Sequence, residues 1–141
     1  MANLKKCLVL FSLILLLPQL QAQTTTPKPG SPERKALMDA LRSPVEAELK
    51  RNVVFKVNAL KVQGDWAFMR GVPQLPNGAP MDYRASHYQA QINDGPFEDW
   101  ICALWKRQGS RWRVVRYHIG ATDVVYSGWD REFGAPSAIF R

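Results

Sequence analysis

The 141-residue chain carries 19 Lys and Arg residues against 12 Asp and Glu residues, and it contains two cysteines. A chain of this length forms one domain that can bury a hydrophobic core. Cys7 lies in a segment that we predict to be removed, which leaves Cys102 alone. This excludes a fold stabilised by disulfides within one mature chain.

Residues 1–22 are typical of a signal peptide. Two lysines precede an apolar run at residues 7–17, and Ala22 supplies a small residue before a cleavage site at Gln23. The apolar run is too short for a permanent transmembrane helix, although an uncleaved anchor is the alternative. No cysteine follows the run at the cleavage point, which argues against a bacterial lipid anchor. We therefore expect a periplasmic or secreted protein whose mature chain has no permanent membrane span.

Cleavage removes two of the 19 basic residues, so 17 remain against 12 acidic ones and the formal net charge is +5. This excess favours anionic partners such as lipid headgroups or cell-wall polymers. Basic residues spread over a small secreted domain also serve solubility alone, and this alternative stays open. Export argues against a nucleic-acid partner.

The mature chain is predicted to begin with a flexible linker, residues 23–30, followed by a single domain over residues 31–141. The Ser-Pro pair that begins at Ser31 is typical of a helix start. A second Ser-Pro pair repeats this pattern, so we expect the helix to break at Pro44 and a short continuation to end near Arg51.

Two strands joined by a turn at Gly64 are predicted for residues 53–63 and 66–72. The apolar alternation in the first strand slips after Ala59, as it does at a β-bulge. Prolines then interrupt the pattern, and residues 81–96 are predicted to be loop with one short element at most.

A last helix is predicted near the C-terminus. Thr122 is a suitable N-cap, and Val125, Trp129 and Phe133 recur every fourth residue. Gly134 is expected to end this helix.

The strongest structural signal is a β-hairpin over residues 100–120, with Gly109 and Ser110 at its turn. This turn is predicted to pair Arg107 with Trp112, Trp105 with Val114, Cys102 with Tyr117, and Trp100 with Ile119. Alternation along the strands then defines two faces. The core face is expected to carry Trp100, Cys102, Leu104, Val115, Tyr117 and Ile119. The second face is expected to carry Ile101, Trp105, Arg107, Trp112, Val114, Arg116 and His118.

We predict a binding surface on the second face, formed by Trp105, Arg107, Trp112, Arg116 and His118. Aromatic rings beside guanidinium groups stack on sugars, bases or aromatic side chains. Guanidinium groups also pair with carboxylate or phosphate. The alternative is that a helix covers this face and that the two tryptophans belong to the core.

An N-terminal helix followed by antiparallel hairpins predicts an α+β fold, with a bent helix packed on a curved sheet and a short C-terminal helix. The helix and the hairpins at residues 62–68 and 109–117 resemble the cystatin-like and nuclear-transport-factor-like folds, in which a curved sheet wraps a helix. Small exported proteins share this layout. Cystatins carry a Gln-x-Val-x-Gly turn that enters a cysteine protease. Val62 and Gly64 match this motif, whereas Leu60 replaces its glutamine, which argues against inhibition.

Catalytic chemistry has weaker support than binding. Cys102 with His87 or His118 is a candidate nucleophile and base. A lone cysteine on an apolar strand face is more often a core residue, and the predicted pairing sends Cys102 and His118 to opposite faces. His118 with Asp99 or Asp123 is an acid-base alternative inside a conical pocket, although Asp123 is equally suited to the first turn of the last helix.

Two separated histidines do not give metal-ligand spacing, and we expect neither a metal nor another cofactor. The sequence has no glycine-rich phosphate loop, nucleophile elbow or His-Glu-x-x-His motif. It thus predicts an exported, non-catalytic binding or accessory module for an anionic cell-envelope component or a protein. A small enzyme with a conical pocket is the first alternative, and a cystatin-like protease inhibitor is the second.

Overall fold

The computed structural model describes residues 21–141, and in this part of the chain a long helix packs on a four-stranded antiparallel sheet. The elements are α1 (Pro32–Leu49), β1 (Val54–Gln63), β2 (Trp66–Gln74), α2 (Tyr88–Asp94), β3 (Ile101–Gln108), β4 (Arg111–Ile119), α3 (Trp129–Phe133) and a 3-10 helix (Ser137–Phe140). The strands lie in the sheet in their chain order, β1-β2-β3-β4. The predicted α+β fold is therefore confirmed.

Helix α1 continues through Pro44, so the predicted break at this residue is wrong. The Ser31 side chain accepts a hydrogen bond from the backbone N–H of Arg34 and caps the start of the helix. A proline inside a helix removes one backbone hydrogen bond. Packing offsets this loss, because each apolar side chain buried on the sheet contributes roughly 1.5–3 kcal/mol. The fully buried residues of this face are Leu37, Leu41, Val45 and Leu49.

Strands β1 and β2 form the first hairpin, and Asn58 is an extra residue next to the Val57–Gly71 pair. A bulge was predicted close to this position. Gly71 has no room for a side chain, since a Cβ atom there would lie 2.5 Å from the backbone oxygen of Lys56. Glycine therefore permits the close approach of the two strands beside the bulge.

Strands β3 and β4 form the second hairpin, and the half nearest its turn follows the prediction. Arg107 faces Trp112, and Trp105 faces Val114. Gly109 adopts a φ of +60°, a conformation that suits glycine in a tight hairpin turn.

Beyond these pairs, Val115 is an extra residue in β4 and shifts the register by one. Cys102 consequently faces His118 rather than Tyr117, and the last predicted pair, with Ile119, is also wrong. Side chains change faces after such an insertion. Tyr117 and Ile119 therefore pack on the side of α1, and His118 lies on the opposite side.

The sheet has a helix face, which packs on α1, and an outer face, which packs on the C-terminal segment of residues 121–141. Most of the buried core lies between α1 and the helix face. On the outer face, Phe68, Cys102 and Leu104 are buried by the C-terminal segment. Both faces of β3 are thus covered over residues 101–105.

A sharp turn at Gly120 sends the chain from β4 across the outer face. Gly120 has a φ of +84°, and a Cβ atom there would lie 2.1 Å from the ring of Phe97. The following helix begins at Trp129, so the predicted cap at Thr122 is wrong, whereas Gly134 ends the helix as predicted. Turns rather than a helix carry Tyr126, the first aromatic side chain of this segment, onto the sheet.

The segment predicted to be a linker lies beside β1. Thr25 and Val62 exchange two backbone hydrogen bonds of 2.8 Å, and Pro27 is buried. The predicted signal peptide falls almost wholly outside the described residues. Within residues 21–141, no helix is long and apolar enough to cross a membrane.

Candidate functional site

Three of the predicted site residues lie on the helix face. Trp105 is fully buried, and Trp112 is 9% exposed. Arg107 donates a hydrogen bond to Glu33 at 2.7 Å, and its guanidinium carbon lies 4.3 Å from the centre of the Trp112 ring. This arginine therefore fixes the start of α1 to the second hairpin.

Arg116 and His118 lie on the outer face instead. Arg116 forms an ion pair with Glu132 at 2.8 Å and lies over the ring of Phe133 at 4.6 Å. His118 is exposed. The prediction that the five residues share one surface is wrong, because the extra residue Val115 reverses the faces of β4 and because α1 covers both tryptophans.

A different aromatic and basic surface is exposed at the turn end of the outer face. Trp66 pairs with Lys106, which pairs in turn with Arg113, so the three side chains stand side by side across β2, β3 and β4. The Nζ atom of Lys106 lies 4.9 Å from the centre of the half-buried Trp66 ring. Lys61 and Arg111 flank this row on the same face. We call these five residues the tip patch.

The sheet brings only positive charge to this surface. Its strands contain two basic residues in β1, one in β2, two in β3 and three in β4, and none of the four strands contains Asp or Glu. Among the described residues, none of the four tip-patch cations forms an ion pair. The tip patch therefore presents four basic side chains that have no ion-pair partner among the described residues, on the same face as one indole ring.

These residues lie outside the predicted binding surface, although a local signal for them exists in the sequence. Lys106, Arg111 and Arg113 alternate with Arg107 and Trp112 on either side of the correctly predicted turn. Strand alternation separates the two sets but does not show which of them a helix covers. The predicted surface uses the set that includes Trp112, and this is the set that α1 covers.

No family model, curated protein or solved structure matches the chain.

The candidate catalytic residues do not converge on one centre. Cys102 and His118 face each other across the hairpin, but Cys102 is fully buried. Burial raises the pKa of its thiol to about 12, so the nucleophilic thiolate is disfavoured at neutral pH. Asp99 accepts a hydrogen bond of 2.5 Å from the Tyr83 hydroxyl, whereas Asp123 lines a groove on the outer face.

A second titratable cluster joins α1 to α2 and β4. Glu48 accepts hydrogen bonds from the hydroxyl groups of Tyr88, at 2.7 Å, and of Tyr117, and the Nε2 atom of His87 lies 3.4 Å away. Burial and these hydrogen bonds to a carboxylate raise the pKa of both tyrosines. The cluster thus ties three elements together through neutral hydroxyl donors. Within residues 21–141, no group of three or more His, Cys, Asp or Glu side chains is placed to hold a metal ion.

Proposed function

We propose that this protein is an exported, non-catalytic module that binds an anionic polymer of the cell envelope through the tip patch. The observation that carries the proposal is the segregation of charge in the sheet. All charged side chains of the four strands are basic, and four of them lie in the tip patch with Trp66 and have no ion-pair partner among the described residues. A surface of this kind attracts polyanions and speeds their association.

The basic side chains of the tip patch favour a polymer of anions over a lipid bilayer. Neighbouring strands lie about 4.8 Å apart, so Lys106 and Arg113 present two charges side by side. Arginine pairs with phosphate or carboxylate through two parallel hydrogen bonds. Entry into a bilayer needs exposed apolar side chains, but Trp66 is half-buried. The large apolar residues that are exposed within residues 21–141, Val115 and Val124, lie outside the tip patch.

Export is part of the proposal and rests on the signal-peptide pattern of residues 1–22. The measurement that checks it is the intact mass of the protein recovered from the periplasm or the medium. We expect a mass that corresponds to a chain beginning near Gln23. A recovered protein that retains residues 1–22 would contradict export with cleavage.

Calorimetric titration of the mature protein with long-chain polyphosphate at low salt tests the tip patch. The double variant Lys106→Gln/Arg113→Gln is expected to bind about tenfold more weakly, because two contacting cations are lost. The matched control is Lys28→Gln/Lys50→Gln, which removes the same charge from two exposed positions outside the strands. Its affinity is expected to stay within about twofold of the parent protein.

Two outcomes would overturn this proposal. Equal loss of affinity in both double variants would show that the polymer responds only to net charge. Binding to vesicles of phosphatidylglycerol without binding to polyphosphate would identify a lipid surface as the partner instead.

A second candidate function is inhibition of a cysteine protease, and one arrangement favours it. Thr25 pairs with Val62, and the backbone N–H of Arg107 donates to the Asp65 carbonyl at 2.7 Å. The N-terminal segment and both hairpin turns therefore meet at one end of the molecule. The layout predicted from the sequence resembles that of the cystatins, which place a turn in a protease. A papain assay with excess mature protein tests this candidate, and undiminished papain activity would remove it.

A further inference from the structure

A groove of about 450 Å³ opens at the end of the outer face that lies away from the tip patch. Its floor includes β2 at Arg70 and Gly71, and its walls come from the segments before β3 and after β4. Trp100 and Tyr126 are half-buried in these walls. Their ring centres lie 6.3 Å apart with the planes nearly perpendicular. The groove is therefore a concave site with aromatic sides.

The backbone holds the two walls in place. The Gly120 N–H donates to the Trp100 carbonyl at 3.0 Å, and the Trp100 indole N–H donates to the carbonyl of Ala121. Phe97 packs against Gly120, where only glycine leaves room for the ring. The orientation of the Trp100 ring is thus fixed before any ligand arrives, which lowers the entropy lost on binding.

The groove holds charges of both signs. Arg70 contributes a guanidinium group, and Glu98 and Asp123 contribute carboxylates. All three side chains are exposed to solvent, and within residues 21–141 none of them takes part in an ion pair. Opposite charges that share a groove without pairing to each other can each meet a ligand group of the other sign.

We propose that this groove binds a small zwitterion, with a carboxylate or phosphate against Arg70 and an ammonium group against Glu98 and Asp123. The guanidinium fork matches carboxylate and phosphate alike. The rings of Trp100 and Tyr126 add an attraction for the ammonium group through their electron-rich faces. An anion without an ammonium group would be repelled by the two carboxylates. A cation without an anionic group would be repelled by the arginine.

This inference is independent of the tip patch. The two surfaces use different residues, and Phe68, buried under the C-terminal segment, lies between Trp66 and Arg70 on β2. A small zwitterion also differs in class from a polyanion. Either proposal can fail while the other stands.

Titrations of ¹⁵N-labelled mature protein, followed by NMR, test the groove. The probes are phosphocholine and glycylglycine as zwitterions, choline and acetate as their separate halves, and glucose as a neutral control. The indole N–H of Trp100 reports from within the groove. We expect at least one zwitterion to bind about tenfold more tightly than either half. The phosphocholine and glycylglycine arms distinguish a phosphate source from a carboxylate source.

Charge-neutral variants assign the two halves of the ligand. Arg70→Gln is expected to weaken the zwitterion about tenfold and to bind choline no more weakly than the parent protein, because choline has no anionic group for the arginine and is repelled by it. Asp123→Asn is expected to weaken both zwitterion and choline. Arg70→Lys keeps the charge but loses the fork, so an intermediate affinity is expected. Lys50→Gln is the control for a change in net charge, because Lys50 is exposed and lies outside the groove.

The proposal is overturned if no probe shifts the Trp100 indole resonance at millimolar concentration. It is also overturned if choline, acetate or glucose binds as tightly as the zwitterions, or if Lys50→Gln weakens binding as much as Arg70→Gln. All of these positions are exposed, so we expect each variant to retain the fold. Thermal melts of each variant check this.

Discussion

The helix face and the outer face of the sheet differ in how completely they are covered. Helix α1 lies on the first and buries most of the core, whereas residues 121–141 cover only the middle of the second. Three outward positions of β2 show the consequence. Trp66 belongs to the tip patch, Phe68 is 3% exposed under the C-terminal segment, and Arg70 lines the groove.

The same difference appears in the use of charge. On the helix face, Arg107 is paired with Glu33 and packed on Trp112, so its role is to join elements. On the outer face, Lys106 and Arg113 have no ion-pair partner among the described residues. Arg107 and Lys106 are neighbours in β3, but the first stabilises the fold and the second, in our proposal, binds the ligand.

Trp105→Ala is expected to cause the largest loss of stability. Its side chain is fully buried on the helix face, and removal of such a ring costs about 3–5 kcal/mol of unfolding free energy. Urea denaturation measures this loss. The matched variant Lys106→Ala, one residue along β3 on the outer face, is expected to change stability by about 0.5 kcal/mol or less. Equal losses would show that the turn end of the outer face is structural rather than free for binding.

Gly120→Ala is expected to have the next largest effect, at the groove end of the outer face. Gly120 and Gly78 have similar φ values, +84° and +82°, but only a Cβ atom at Gly120 would meet another group, the Phe97 ring. Gly78→Ala is therefore a control for backbone strain, which costs about 1 kcal/mol. Overpacking against the ring adds about 1–3 kcal/mol at Gly120. Equal melting temperatures for the two variants would contradict the close packing of the groove wall.

Alkaline pH is expected to weaken the helix face through its tyrosines. Burial raises the pKa of Tyr83, Tyr88 and Tyr117 above the ordinary value of about 10, and hydrogen bonds to carboxylates raise it further. The folded protein then keeps protons that the unfolded chain has lost. Stability is therefore fully present below about pH 9 and falls as the pH rises through 10 and beyond.

Melting temperatures between pH 8 and 11 measure this dependence. Tyrosinate absorbance should appear together with unfolding for the buried tyrosines. Tyr117→Phe is the control, because it removes one of the raised pKa values and should flatten the alkaline decline. A melting temperature that stays constant up to pH 11 would contradict the burial of these hydroxyl groups.

Strand pairing was predicted correctly from the sequence only where the two faces of the second hairpin differ in polarity. Near the turn of the second hairpin, apolar and basic residues alternate, so the pairing of Trp105 with Val114 was predictable. Beyond it, β4 continues without a local marker for the extra residue Val115. Both faces of β3 are buried there, and alternation carries little information about register when both faces are apolar.

Tertiary packing explains the other differences. Pro44 stays inside α1 because Leu41 and Val45 are held on the sheet, and this packing is not visible in a local Ser-Pro pattern. The groove was equally beyond prediction. Arg70, Trp100 and Asp123 come from three distant parts of the chain, and only the turn at Gly120 and the shifted register bring them together.

Arg116→Ala is expected to have a small effect on stability. Its ion pair with Glu132 is exposed on both sides, and exposed pairs contribute about 0–1 kcal/mol. Denaturant unfolding measures the change. A loss as large as that of Trp105→Ala would show that the C-terminal segment is held to the outer face mainly by this arginine.

The salt dependence of polyphosphate binding tests the proposed role of the tip patch most directly. Each cation that contacts a polyanion releases counterions, so the logarithm of the binding constant falls linearly with the logarithm of the salt concentration. For Lys106→Gln/Arg113→Gln we predict a slope shallower by about 0.7–0.9 for each cation removed. The control Lys28→Gln/Lys50→Gln should keep the slope of the parent protein. Identical slopes for the parent protein and both variants would contradict binding through the tip patch.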